Sequence, residues 1–158
     1  MSKIRSPKAS FKGRIRGRLV AVQALFQIEQ TDAQASSVVL EFLEHRLKKE
    51  APKMAKIDTT FFSRLTEGAW ANHVRSDEII CGSLKTGWSI DRIEPVTRAI
   101  LRAALYELLE TKTPSPVIID EYLNVTHHFF DNTEVSFVNG ILNTIDKKIR
   151  STEPKTSI

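Results

Sequence analysis

Apolar residues recur along this chain at spacings of three and four, the period of an α-helix that buries one face. In residues 13–30, Ile15, Leu19, Val22 and Phe26 share a face, which predicts a first helix starting between Gly13 and Gly17. A second helix is predicted over 34–48, with Val39, Leu43 and Leu47 as its stripe and Leu40 beside them. KKEAPKMAK then reads as a solvated linker. Asp58 is a suitable N-cap for a third helix reaching about residue 74, buried through Phe61, Phe62, Leu65, Ala69 and Trp70. A shorter fourth over 76–84 carries Ile79, Ile80 and Leu84. Trp88, in the loop that follows, is expected to plug a core.

Residues 94–111, EPVTRAILRAALYELLET, carry the strongest helix pattern. Pro95 suits a first helical position, and Asp91 and Glu94 complement the helix dipole. Val96, Ile100 and Ala103 form one apolar stripe, and Leu101, Leu105 and Leu108 a second. A helix apolar on two sides is covered on more than one side, so this is the expected centre of the domain. TKTPSP terminates it, because proline does not continue a helix. Two further helices follow over 117–129 and 134–150. Asn139-Gly140 resembles a hairpin turn, but helical spacing runs straight through it. Gly140 is therefore expected to mark close packing against another backbone. No strand-type alternation is long enough to defend. The prediction is an all-α fold of about seven helices, with a flexible arm over 1–12, one domain over 13–150 and a loose tail over 151–158.

Composition changes this picture in one place. The chain has 158 residues, 41% of them apolar, and a formal net charge of +4. Lys3, Arg5, Lys8, Lys12, Arg14, Arg16 and Arg18 precede Val20 with no acidic residue among them. These are seven of the 23 basic residues; the other 16 face 19 acidic ones, leaving a body of net charge −3. A basic arm on a mildly acidic body points to a polyanion site in one place. Arginine forks suit phosphates, and arginine-rich segments fold on RNA; a solubilising tail is the plain alternative. Gly13 and Gly17 each weaken a helix by roughly 1 kcal/mol relative to alanine, so the start is expected to fray.

The remaining candidate chemistry is thin. Cys81 has no partner for an internal disulfide, which fits a reducing cytoplasm, and it is expected in the core. His127 and His128 are adjacent and diverge on a helix, without the i, i+4 spacing that joins two ligands on one metal. Asp120 and Glu121 diverge likewise and read as a solvated or partner-facing edge rather than an acid/base pair. No apolar run approaches a membrane span. No cofactor, metal site or catalytic constellation is expected.

Three blocks carry a resemblance: RGRLVAVQALFQIE (16–29), IEPVTRAILRAALYELL (93–109), and VIIDEYLNVTHHF (117–129) followed by FVNGILNTI (137–145). In that order they resemble the NusB family of bacterial transcription antitermination factors, over nearly the whole chain. The resemblance implies two packed helical bundles, here about 13–75 and 76–150. It implies binding to the boxA element of ribosomal RNA leaders together with NusE, a small-subunit ribosomal protein, and loading onto RNA polymerase with other Nus factors. Lys12 belongs to the basic start, and Arg14, Arg16 and Arg18 match the family's arginine-rich first helix and imply RNA phosphate contacts. Phe26 stands where the family usually has tyrosine, beside the RNA and NusE surface. Glu94 matches an acidic position at that boundary. Phe137 either stacks on a base or is buried. Ser136 replaces a frequent lysine, and Phe130-Asp131-Asn132 replaces a glycine-containing turn. Two rivals remain at this point: the RNA-positioning domain of an RNA cytosine methyltransferase, for which a cofactor-binding α/β domain would be needed, and a purely protein-binding helical scaffold.

Overall fold

A computed structural model describes residues 5–46 and 57–152, with side chains over 12–46 and 57–151. Among these it contains seven α-helices and no strand. They are α1 (Arg5–Thr31), α2 (Ala35–Glu41), α3 (Thr59–Ala71), α4 (His73–Cys81), α5 (Pro95–Glu110), α6 (Ser115–Phe129) and α7 (Asn132–Thr152). The linker predicted from KKEAPKMAK lies outside the described residues.

The central position of α5 follows from its two apolar stripes. Every residue from Thr97 through Leu105 is buried, and the helix packs against α1, α3, α4, α6 and α7. Its start is capped by Glu94, whose carboxylate accepts from the backbone N–H of Val96 and, at 3.3 Å, of Thr97. These are donors with no partner inside the helix. Asp58 caps α3 as the sequence suggests, its Oδ1 accepting from Phe61 N at 2.9 Å. Pro114 and Pro116 end one helix and open the next, because proline fits the first turn.

Several expectations are corrected. Helix α1 begins at Arg5, well before the predicted start. Gly13 and Gly17 do not fray it; both are buried where α1 crosses α3. A Cβ on Gly17 would lie 3.0 Å from the Phe61 ring, and Asp58 N donates to the Gly13 carbonyl at 3.3 Å. The inward face of α2 is rotated by one residue. Val38, Val39 and Phe42 are buried while Leu40 is exposed, because Phe42 packs on Phe62 with ring centroids 6.0 Å apart. The helix then widens into one π turn, Phe42–Arg46.

Asn72 divides the predicted third helix, its side chain donating to the Gly68 carbonyl at 2.9 Å, so α4 starts at His73. Ser76 and Ile80 take the core side of α4, and Cys81, next in sequence and so turned away, is exposed. Trp88 does not plug the core; it is 49% exposed, and Ile93 is buried at that end of α5 instead. Close packing at a glycine occurs at Gly68, where an added Cβ would overlap the Tyr106 ring. Gly140, for which it was predicted, is exposed, and a Cβ there would meet nothing within 4 Å.

Candidate nucleic-acid interface

Lys12 and Arg14 lie on the exposed part of α1. The Arg14 guanidinium sits 5.2 Å from the centroid of the Phe61 ring and 4.0 Å from Asp58 Oδ2, with half of its side-chain surface open. Arg16 is half-buried, and its Nη1 has no hydrogen-bond partner among the described residues.

Arg18 behaves differently from the other two, which corrects its assignment to the surface. It is buried, its Nε and Nη2 donating to the two carboxylate oxygens of Glu107 at 2.7 and 2.9 Å. Its guanidinium also stacks over Phe61 and Tyr122, and its Nη1 lies 3.8 Å from Glu121. Burial alone would disfavour the Arg18 charge, but the hydrogen bond and attraction of Glu107 outweigh it and hold the pKa above its usual value. Tyr122 is fully buried, and that burial, reinforced by the Glu107 charge, pushes its phenol well up. It therefore stays neutral and donates to Glu107 at 2.5 Å. Of the pair expected at a solvated or partner-facing edge, Asp120 is exposed but Glu121 is buried; that burial raises the Glu121 pKa, partly offset by Arg18.

A second network was not anticipated at all. Arg98 and Arg102, one turn apart on α5, both reach Glu29 of α1, at 2.8 and 2.9 Å. Arg102 also forks onto Asp77 of α4, at 2.8 Å through Nε and Nη2. Desolvation raises the Glu29 pKa, but the hydrogen bonds from Arg98 and Arg102 more than reverse this and leave it lowered. The signal in the sequence was an i, i+4 arginine pair inside an otherwise apolar helix. Such a pair has to find carboxylates when its helix is covered.

Phe26, half-buried, lines a groove of about 430 Å³ between α1, the π turn and the start of α5, with Gln23, Arg46, Val96 and Phe129. Arg46 is held over the Phe42 ring at 4.6 Å. Glu94 is exposed, two residues before Val96 of the groove wall, so Phe26 and Glu94 do converge on one region. Phe137 lines a different groove, of about 420 Å³, with Lys85, Trp88 and Gly140. At the starts of α5 and α7, Thr97 Oγ1 donates to Glu134 Oε2 at 2.5 Å. Arg14 and Phe26 are twelve residues apart on α1, about 18 Å along the axis. A partner touching both must be extended. Among the described residues no His/Cys/Asp/Glu group is arranged to hold a metal, and no helix is long and apolar enough to cross a membrane.

The comparisons with known proteins agree with this architecture. A profile of the NusB family matches residues 16–147. The transcription antitermination protein NusB of Caulobacter vibrioides is 39% identical over 136 residues, covering 84% of this chain and 91% of that protein. The solved NusB of T. maritima superposes with a TM-score of 0.71 at 34% identity, covering 85% of this chain and 91% of the other. A structure of the antitermination factors NusB and NusE in complex with double-stranded RNA shares the fold, with a TM-score of 0.71 at 22% identity over 86% and 97% of the two chains. Seven helices among the described residues, one of them the arginine-bearing central α5, and a match along most of the chain place this protein in the NusB family, whose members are transcription antitermination factors and not enzymes.

Proposed function

We propose that this chain binds the boxA element of ribosomal RNA leader transcripts together with NusE, and loads onto RNA polymerase with other Nus factors in the cytoplasm. The observation that carries the reading is the layout of α1. Exposed Lys12 and Arg14, in the first half of α1, lead along the same helix to the Phe26 groove. Cations that meet phosphates position an RNA strand, and aromatic grooves hold its unstacked bases. In this reading Lys12, Arg14 and Arg16 meet phosphates, Phe26 and Phe137 face bases, and Phe26 and Glu94 border NusE. Phe26 has no hydroxyl, so its contribution is packing alone. Arg18 takes no part, because Glu107 already occupies its fork. The fold shared with a NusB–NusE complex on double-stranded RNA supports a joint RNA and protein surface.

The test is fluorescence anisotropy of a labelled boxA-type RNA, with and without NusE, against a scrambled RNA. NusE is expected to raise RNA affinity and boxA to be preferred. Linkage then requires RNA to raise NusE affinity by the same factor. Equal RNA affinity with and without NusE would sink the joint surface.

A further inference from the structure

The segment GRIRGR places a glycine–arginine pair twice on α1, at Gly13-Arg14 and Gly17-Arg18, one helical turn apart. Both arginines come to the same ring. Phe61, the third residue of α3, has the Arg14 guanidinium 5.2 Å and the Arg18 guanidinium 5.1 Å from its centroid. The residue is held in three ways. Its N–H donates to the Asp58 cap at 2.9 Å, its ring lies where a Cβ on Gly17 would come within 3.0 Å, and Arg18 beside it is locked by the fork onto Glu107. Arg18 needs no ring, since both carboxylate oxygens of Glu107 already take its donors. Packing on Gly17 needs none either, because an aliphatic side chain of similar size fills such a space. What only an aromatic face supplies is the contact with Arg14.

We infer that Phe61 is the positioning residue for Arg14: its face, seated on α1 at Gly17, presents the Arg14 guanidinium to an RNA phosphate; this rests on the RNA-binding reading above. Half of the Arg14 side-chain surface is open, and a long side chain so exposed ordinarily samples many rotamers. Binding a phosphate then costs the entropy of holding one of them, and a contact that restrains the free state removes part of that cost. The restraint acts on the plane of the guanidinium, over Phe61, and on its Nε edge, 4.0 Å from Asp58 Oδ2 and so beyond hydrogen-bond reach. Among the described residues no hydrogen bond occupies Nη1 or Nη2 of Arg14. Those groups are left for a phosphate, whose oxygens a guanidinium fork matches. Arg16, between the two arginines in sequence, makes no such contact with Phe61.

The experiment measures boxA-type RNA affinity by anisotropy across a salt series, with thermal melting of every protein. It compares wild type, Arg14→Ala, Arg16→Ala, Phe61→Tyr, Phe61→Leu, and protein with pentafluorophenylalanine incorporated in place of Phe61, which keeps the ring and withdraws the negative charge of its face. The last two changes are also combined with each alanine variant. Phe61→Leu and the fluorinated ring are expected to weaken RNA binding by about 2- to 5-fold, the size of a cation–π contact at an exposed site, while Phe61→Tyr binds as wild type does. The slope of log K against log salt should hold in all three, since Arg14 keeps its charge; Arg14→Ala should flatten it by about 0.7. Either ring change should cost nothing further beside Arg14→Ala and its full factor beside Arg16→Ala, because coupling is confined to residues in contact. A ring that only packed the core would weaken binding alike in both backgrounds. If wild type binds RNA and both ring changes bind it equally well, or if their loss persists beside Arg14→Ala, the positioning role is overturned and the RNA-binding reading stands. A loss that follows the melting temperature rather than the presence of Arg14 overturns it as well, and if Phe61→Leu does not fold, the fluorinated protein decides. Arg14→Ala with wild-type affinity takes Arg14 off the RNA and overturns the inference alone; wild type that fails to bind RNA overturns both.

Discussion

Removing the Arg18 side chain should destabilise the fold strongly and leave the salt dependence of RNA binding alone. Arg18→Ala strips Glu107 of two charge-assisted hydrogen bonds, at 2.7 and 2.9 Å. It leaves that carboxylate, 1% exposed, with only the Tyr122 hydroxyl. Breaking a buried ion pair by removing one partner costs about 3–5 kcal/mol, because the remaining charge is uncompensated. Loss of the guanidinium stacked on Phe61 and Tyr122 puts the value in the upper part of that range. Urea denaturation of wild type and variant measures it. The triple replacement Arg18→Met, Glu107→Met, Tyr122→Phe should recover most of the loss, since it removes the charges and the orphaned hydroxyl together. In the salt titration exposed Arg14 and half-buried Arg16 behave oppositely to Arg18. Each phosphate contact on a single strand contributes about −0.7 to the slope of log K against log salt, so Arg14→Ala with Arg16→Ala should flatten that slope by up to about 1.4. Boxa and scrambled RNA should weaken alike, because phosphate contacts do not read sequence. A cost below about 1 kcal/mol for Arg18→Ala, or a slope flattened by it, would refute the buried pair and return Arg18 to the RNA surface.

Leu105→Ala should cost about 2–5 kcal/mol by equilibrium denaturation, because Leu105 is fully buried in the most enclosed helix and its removal leaves a cavity; a loss near zero would contradict its burial. Stability should also fall with acid through Glu29. Its folded pKa is lowered by Arg98 and Arg102, so its contribution is fully present above the ordinary carboxylate value of 4.5 and is lost as pH falls through the folded value. Glu29→Gln should be less stable at neutral pH and should show a shallower acid limb in denaturation curves taken across that window; parallel limbs would mean that Glu29 titrates alike in both states.

Local chemistry was legible in this sequence wherever it concerns neighbours along the chain. The caps at Asp58 and Glu94, the proline breaks around Pro114 and Pro116, and the two apolar stripes that make α5 central all depend on residues within a few positions of one another. So does the all-helical class, because period alone separates helix from strand. The tertiary structure decided what depends on partners far away in sequence. Arg14, Arg16 and Arg18 are alike as letters, and only Glu107, 89 positions on, draws Arg18 inside and leaves Arg14 in solvent. Gly17, Gly68 and Gly140 carry the same backbone freedom, yet Phe61 and Tyr106 crowd the first two while nothing approaches the third. The register of α2 was settled by Phe42 meeting Phe62 across helices, and Trp88 was left outside once Ile93 had filled the end of the core. Helical periodicity specifies which side chains share a face, but which face is covered, and by what charge, is a property of the packed helices.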